Sequence, residues 1–595
     1  MYIVDFEPVG RRGEFSGDQS LLVCARKLNV DLVSLCGGVG SCDHCKVQVI
    51  AGKVSSPTLE EEAELSASEL EQGYRLACQT YPESDVKLHV PPESLTAPQR
   101  TQVEGLDVDV EPDPPIRGLE AHLTPPTLES PQADAQNLWA ALAAHGIQGG
   151  RIDFQVQQTL STQVREDNWQ VNVALRGDEI VAIGAPSTRW LGLAVDIGTT
   201  KVAGYLIDLE SGKTLASKGL MNPQISYGED VVSRIVAASK SPADAVKLQS
   251  LLAEGLSQLT VDLCTEVNAK PTEVAEAVVV GNTAIHHLFL GLPVKQLGLS
   301  PYVPTVDTAV DVKAREIGLK IAPGAYVHLL PNIAGYVGAD HVAMLLAIRL
   351  AETNRVTLAI DIGTNTEICL NHKGKMTSVS CASGPAFEGA HIKFGMRAAP
   401  GAIEHVRLDG GKLEVQTIGG QAPVGICGSG LLDVVAQLRL NEIIQRSGKM
   451  VEHPLVRSQD GKAEFVLAKR QDLEDITLSQ KDVRELQLAK AAIRLGIQAL
   501  VEAEGLTEND LEQVIIAGAF GTFIDVESAI TIGMLPGLPL ERFKQVGNAA
   551  GTGARLALIS QTEREKANEI ARQDDYIELA KIPNFNRKFA EATYL

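Results

Sequence analysis

Hydrophobic and polar positions in this 595-residue chain change period at a few well-marked points. The opening MYIVDFEP alternates as a strand does, a second short strand around Gly13 to Phe15 completes a hairpin, and SLLVCARKL takes the 3.6-residue spacing of a helix. KVQVIAGKV returns to alternation and reads as the next hairpin. Residues 91–117, from PPESLTAPQR to EPDPPIR, carry prolines among acidic and small residues without apolar period, which predicts a semi-extended linker free to move. In residues 118–188 a helical stretch, ADAQNLWAALAAHGI, precedes strand-like IDFQVQQTL, WQVNVAL and EIVAIGAP, the last two turning at Gly177 and Asp178. They predict a small α/β middle domain with no chemistry of its own.

The longest part, residues 189–595, contains a repeat. LAVDIGTT, Leu193 to Thr200, returns as LAIDIGTN, Leu358 to Asn365, with six of eight positions identical. Each copy is an apolar strand ending in Asp, a turn with Gly and Thr, and a second strand, so two duplicated lobes are expected. A glycine-containing hairpin tip offers backbone N–H groups and hydroxyls to phosphate oxygens, and a carboxylate at the strand end can hold Mg²⁺ through water. Two tips facing each other would clamp a triphosphate. VIIAGAFGTFI, from Val514, is another apolar strand breaking into small residues, against which a flat nucleoside could lie, and GNAAGTGARLAL opens a helix with small residues.

Near the front, CGGVGSCDHCKVQV runs from Cys36 to Val49, and with Cys78 in YRLACQT it gives the spacing C-x5-C-x2-C-x32-C. Thiolates around iron need a loop whose backbone can turn inward, which accounts for Gly37, Gly38 and Gly40. Structural zinc draws more often on two short paired motifs, and this chain has one C-x2-C. Strand, strand, helix and thiol loop predict a β-grasp fold over residues 1–90. That segment resembles [2Fe–2S] ferredoxins of the adrenodoxin kind, with Cys36, Cys42, Cys45 and Cys78 as iron ligands. Just before Cys78, PTLEEEAELSASELEQ places Thr58 and Glu61 as a capping box beside an acidic run. The run reads as a solvated face or as a docking surface for an electron donor.

Composition narrows the partners. A formal charge of −22 would repel nucleic acid and anionic lipid, and no apolar run approaches the 18 residues of a membrane span. No signal-peptide pattern opens the chain, and nine cysteines are an odd number for a disulfide framework, so a cytoplasmic protein is expected. Cys24, Cys264, Cys369, Cys381 and Cys427 read as core residues.

Taken in order, two phosphate tips, an adenosine loop and a small-residue helix resemble the acetate and sugar kinase, heat-shock chaperone and actin superfamily. The resemblance implies an α/β multidomain chain ending in a duplicated actin-like ATPase region at 189–595. It implies ATP and Mg²⁺ as ligands, with Asp196 and Asp361 as the catalytic carboxylates. Gly198, Thr199, Thr200, Gly363, Thr364, Asn365 and Thr366 would face the phosphates, and Gly518 and Gly521 would line the nucleoside. VGNTAIHHLFLGL and SGPAFEGAHI extend the likeness, so the whole chain resembles the reductive activators of corrinoid-dependent enzymes. That family implies one-electron reduction of Co(II) to Co(I) in a partner corrinoid protein, either a corrinoid iron–sulfur protein or a methyltransferase component. It also implies an electron-donor protein and a homodimer. Plant-type [2Fe–2S] centres lie near about −400 mV. If the cobalt couple lies about 100–200 mV lower, each electron climbs roughly 2–5 kcal/mol, which ATP can supply. A small-molecule kinase with an appended ferredoxin, using Asp340 or Asp433 as base, is the alternative. An activator of another low-potential enzyme, such as a radical dehydratase, is a further one.

Overall fold

The computed structural model describes residues 1–595 apart from 29, 31, 33–39, 41–44, 92–93, 95–104, 107, 109, 229, 390, 460–461, 471–473 and 519. At the N-terminus, strand Tyr2–Glu7 pairs antiparallel with Arg11–Phe15 and parallel with Val86–His89. Lys46–Ala51 and Tyr74–Leu76 complete a five-stranded sheet. Helix Leu21–Lys27 is capped by the Ser20 hydroxyl, and its Leu21, Leu22, Cys24 and Ala25 join Val4, Phe6, Val47 and Leu88 in one buried core. This is the expected β-grasp, with one change. KVQVIAGKV does not fold back on itself, because Gly52, at φ +96°, turns the chain against Asp85, whose carbonyl oxygen lies only 2.1 Å from where a Cβ would stand. Lys46–Ala51 therefore takes distant partners, and Val54 bridges to Pro82.

The acidic run breaks into two short helices, Leu59–Glu64 and Ala67–Glu71, each opened by a reciprocal capping box. Glu60, Glu62 and Glu64 are exposed, whereas Glu61 turns inward and is fully buried.

In the middle region Ile116–His122, Gln170–Arg176, Glu179–Gly184 and Arg151–Ile152 form a four-stranded sheet. IDFQVQQTL is helical, contrary to its strand-like look: Phe154–Glu166 is a helix, and Asp153 accepts the Gln155 N–H at its start. Val156, Leu160 and Val164 recur every four residues and are buried, so the helical period wins over the local alternation. The described part of the linker is attached to the last region. The Leu106 carbonyl accepts from Arg555, and Asp113 accepts the Gln561 N–H at 2.6 Å. A freely moving linker is thus not what residues 106 and 113 form, since their polar groups pair with the chain around helix Ala549–Ile559; residues 92–93, 95–104, 107 and 109 lie outside the described set.

Residues beyond 190 build two six-stranded sheets of matching design. In the first, Leu191–Ile197 lies between antiparallel Lys201–Asp208 and parallel Val274–Gly281; in the second, Thr357–Ile362 lies between antiparallel Thr366–His372 and parallel Gln513–Ala517. Thr214–Met221 and Lys375–Cys381 take the equivalent third places. The duplication read from the two octapeptides is thus a duplication of whole sheets, the actin-like architecture. Each lobe has its own apolar core. Helices Ala339–Ala347 and Ala549–Ile559 touch where a Cβ on Gly553 would stand 2.0 Å from the Ala343 carbonyl oxygen, so the small residues of GNAAGTGARLAL serve helix contact. Beside them the His341 ring and the Asp574 carboxylate each bond the Ser378 hydroxyl, at 2.9 and 2.6 Å, inside the protein.

The β-grasp sheet rests on the second lobe. Arg11 donates to the carbonyls of Gly395 and Val424, and Arg397 bonds Glu7 and the Pro8 carbonyl. His89 meets Ser226 of the first lobe at 2.7 Å.

Candidate nucleotide cleft and thiol cluster

Both repeat tips open into one cleft. At the first tip the chain leaves its strand after Ile197, one residue past Asp196, and turns at Gly198, where a Cβ would stand 2.7 Å from the Lys201 carbonyl oxygen. Asn222 donates to the Gly198 carbonyl at 2.8 Å, and buried Arg234 donates to the Thr199 carbonyl, so the tip backbone is held from below. At the second tip the Gly363 N–H donates to the Asn365 carbonyl at 3.1 Å. Asp196, Gly198, Thr199, Thr200, Asp361, Gly363, Thr364, Asn365 and Gly518 all line the cleft. Gly518, at φ +90°, lets its loop pass where a Cβ would lie 2.5 Å from an Asp361 carboxylate oxygen.

Two expected residues stand off the cleft. Thr366 is fully buried with its hydroxyl on Ser383, because it begins the second strand of its hairpin and points into the lobe. Gly521 packs on its own turn, where a Cβ would meet the Ala517 carbonyl oxygen at 2.2 Å.

Other residues complete the site. Asn548, capping helix Ala549–Ile559, donates to Asp196 at 2.9 Å, and Asn282, capping Thr283–Phe289, donates to the Thr199 hydroxyl at 3.2 Å. Glu388 accepts from the Thr200 and Thr364 hydroxyls at once, one carboxylate oxygen to each tip. Phe387 and Phe520 stack with centroids 4.7 Å apart on the cleft wall. Asp340 also lines the cleft, while Asp433 does not line it and bonds His405 at 3.0 Å. Of these, only Asp340 and Asp433 carry a side chain that sequence reasoning singled out. SGPAFEGAHIKFG and VGNTAIHHLFLGL signal element ends through their glycines, yet nothing in them says that Glu388 or Asn282 faces a tip.

The cleft concentrates negative charge. Burial pushes Asp196 up to about 6 against the Asn548 hydrogen bond, and burial with the Asp196 charge pushes Asp361 up to about 7. Asp340 and Glu367 are raised as well, first by burial and then by the neighbouring carboxylates. Carboxylates gathered this closely resist ionising together, and a divalent cation among them would relieve the repulsion.

Of the four thiols, Cys45 and Cys78 are described and buried, while Cys36 and Cys42 lie outside the described residues. Cys45 immediately precedes strand Lys46–Ala51 and its carbonyl accepts the Ala77 N–H at 3.0 Å, which brings Cys45 and Cys78 to neighbouring chain ends. The Gln79 amide approaches the Cys78 sulfur at 3.6 Å, the kind of N–H donor a thiolate ligand accepts. Gly40, at φ +87°, packs on Gln79, where a Cβ would stand 2.9 Å from the amide carbon, so Gly40 lies beside the residue that follows the last thiol. These residues fit an iron–sulfur cluster. Among the described residues, no helix is long and apolar enough to cross a membrane.

Comparison with known proteins accounts for nearly every part. Residues 4–83 match the 2Fe-2S iron-sulfur cluster binding domain, 105–189 the RACo linker region, 191–353 the RACo middle region and 355–595 the C-terminal domain of RACo, the ASKHA domain. The corrinoid activation enzyme RamQ of Eubacterium limosum is 39% identical over 407 residues, 66% of this chain and 68% of that protein. A protein of Methanosarcina barkeri, described as the reductase of the Co(II) methylated amine-specific corrinoid protein, is 28% identical over 66% of this chain and 72% of its own length. A solved structure described as a reductive activator for a corrinoid, iron–sulfur protein is 36% identical with a TM-score of 0.73, covering 100% of this chain and 98% of that one.

Proposed function

This chain belongs to the family of reductive activators of corrinoid proteins, and we propose that it passes single electrons to the Co(II) state of a partner corrinoid protein, giving Co(I), with ATP bound between the repeat tips. The observation that carries this reading is the meeting of two duplicated tips over four carboxylates that line one cleft, in a chain whose first domain is built to hold a [2Fe–2S] cluster.

Thr199, Thr200, Thr364 and Asn365, with the backbone at Gly198 and Gly363, hold the phosphates. Asp196 and Asp361, helped by Asp340 and Glu367, hold Mg²⁺. Gly518 and the Phe387–Phe520 wall receive the nucleoside. Cys36, Cys42, Cys45 and Cys78 hold the cluster, which supplies electrons one at a time. The residues do the rest: Asn548 ties helix Ala549–Ile559 to Asp196, and Thr200 and Thr364, the two hydroxyls that Glu388 bridges, stand on different lobes, so a ligand taking both moves whole lobes. Nucleotide can favour cobalt reduction only by binding the two arrangements of the complex unequally. A donor protein meets the exposed acidic face at Glu60, Glu62 and Glu64, and the protein works in the cytoplasm as a homodimer.

Separating the two half-sites tests the assignment. Asp361→Asn should lose MgATP binding by equilibrium dialysis and keep the cluster's visible absorption; Cys45→Ser should lose that absorption and keep MgATP binding. If Asp361→Asn bound MgATP as the native protein does, the phosphate and Mg²⁺ assignment would be wrong.

A further inference from the structure

We propose that Glu388 links nucleotide in the cleft to the hold on the ferredoxin sheet, so that MgATP loosens that sheet from the second lobe. The inference rests on reading the tips as phosphate ligands, and its own content is the chain of charges leading away from them. Glu388 bonds Thr200 with one oxygen and Thr364 with the other. The oxygen on Thr200 also lies 3.8 Å from Nε of Arg397. Arg397 in turn lies 2.9 Å from the Glu7 carboxylate and donates to the Pro8 carbonyl. Glu7 closes strand Tyr2–Glu7, the strand that joins both halves of the β-grasp sheet. Carboxylate, guanidinium and carboxylate thus follow one another from the tips to the ferredoxin domain, and the Arg397–Glu7 pair at the far end is nearly inaccessible, Glu7 at 1% and Arg397 at 6% exposure.

Polyphosphate seated on the Thr200 and Thr364 hydroxyls would bring its oxygens to the place the Glu388 carboxylate takes. Two anions cannot share those donors. The tip cannot yield instead, because Asn222 and Arg234 hold its carbonyls. Glu388 therefore turns off the tips toward the guanidinium already beside it. Nε of Arg397, 3.8 Å from Glu388, then closes on that carboxylate and draws the guanidinium with it, so that Nη1, which holds both Glu7 and Pro8, is pulled away from them. A buried carboxylate with a weakened partner is costly, and Glu7 recovers water only if the sheet lifts. The loss falls on the contact, since the ferredoxin domain and the second lobe each keep a separate core. Elsewhere across that contact Arg11 meets two backbone carbonyls and the Met396 sulfur and Arg12 meets His391, while His89 bonds Ser226 of the first lobe. The ferredoxin domain would stay parked until MgATP arrives, and only then be delivered to its acceptor.

Hydrogen–deuterium exchange on the full-length protein, with its cluster, reads this directly in peptides spanning residues 7–13 and 391–397. MgATP should speed exchange there by at least about tenfold in the native protein, the scale expected when a buried ion pair is given up. Glu388→Gln, which no longer carries the charge that phosphate expels, should bind MgATP and respond by less than about twofold. Glu7→Gln should exchange fast with or without nucleotide. Native protein that binds MgATP, shown by equilibrium dialysis, without faster exchange at residues 7–13 would overturn the proposal, as would Glu388→Gln responding like the native protein. Native protein that fails to bind MgATP at all would instead overturn the reading of the cleft on which it rests.

Discussion

Glu61 decides whether the ferredoxin domain can hold its last thiol in place. Its carboxylate accepts from Arg75 twice, at 2.9 and 2.7 Å, and from the Leu76 N–H, the Thr80 hydroxyl and the Thr58 N–H at 2.9, 3.0 and 3.0 Å. Arg75 and Leu76 belong to the strand that leads directly into Cys78. Glu61→Gln keeps the shape but turns an amide NH₂ toward donors and leaves Arg75, 5% exposed, without its counter-charge. Breaking a buried ion pair costs about 3–5 kcal/mol, and the hydrogen bonds that glutamine retains return about 1 kcal/mol, leaving a loss of about 2–4 kcal/mol. In a domain of this size each kcal/mol moves the melting midpoint by about 4–8 °C, so a fall of about 10–30 °C is expected. Anaerobic heating of the full-length protein, with the cluster followed by visible absorbance and the remainder by far-ultraviolet circular dichroism, separates the two transitions. The first should move and the second should not. The pH dependence carries the same signature. Burial raises the Glu61 carboxyl, but the Arg75 and backbone hydrogen bonds outweigh it, so its folded value lies below the ordinary 4.5. Its stabilisation is present above that ordinary value and is lost as pH falls through the lower folded one. The native ferredoxin domain should weaken over that acid range and Glu61→Gln should lack the corresponding segment. A bleaching midpoint within about 3 °C of native would refute the reasoning.

Three further outcomes follow from the two-lobed region. Gly553→Leu should push helix Ala549–Ile559 off the Ala343 carbonyl and lower the second melting transition by several degrees, while Gly537→Ala, with nothing within 4 Å of its added carbon, should leave it unchanged. Asn548→Ala should weaken MgATP binding by about tenfold, measured by equilibrium dialysis, since it removes both a helix cap and the donor that orients Asp196. Asp574, raised by burial to about 7, costs stability progressively as pH climbs from its unfolded value of 3.8 through that folded value. Asp574→Asn should therefore raise the melting midpoint at pH 8 more than at pH 5, and an equal shift at both would contradict the assignment.

What could be read from the sequence was what local spacing encodes. The two octapeptide copies announced paired lobes because strand, carboxylate and glycine turn are contiguous, and Asp196, Gly198, Thr199, Thr200, Asp361, Gly363, Thr364, Asn365 and Gly518 all reach the cleft. The Thr58–Glu61 capping box was equally legible, but its inward turn depends on Arg75, fourteen residues on, and no local period shows that. IDFQVQQTL misleads because glutamines alternate with apolar residues inside a helix whose buried positions recur only every fourth residue. Glu388, Asn282 and Asn548 were illegible for a different reason. Each is an ordinary polar residue near an element end, and its role exists only once strands from distant parts of the chain bring a tip beside it. Thr366 and Gly521 show the converse, since a motif position can serve the fold rather than the ligand.

Electron delivery powered by nucleotide is the claim on which the account stands, and an anaerobic titration of cobalt tests it most directly. The dithionite-reduced protein, freed of excess reductant, is mixed with a corrinoid protein in its Co(II) state, and the cobalt spectrum is followed with and without MgATP. Co(I) should form with MgATP, at one cobalt per cluster oxidised, and should not form with the Cys45→Ser protein. Equal Co(I) formation without nucleotide, or cluster oxidation with no change at cobalt, would contradict that claim.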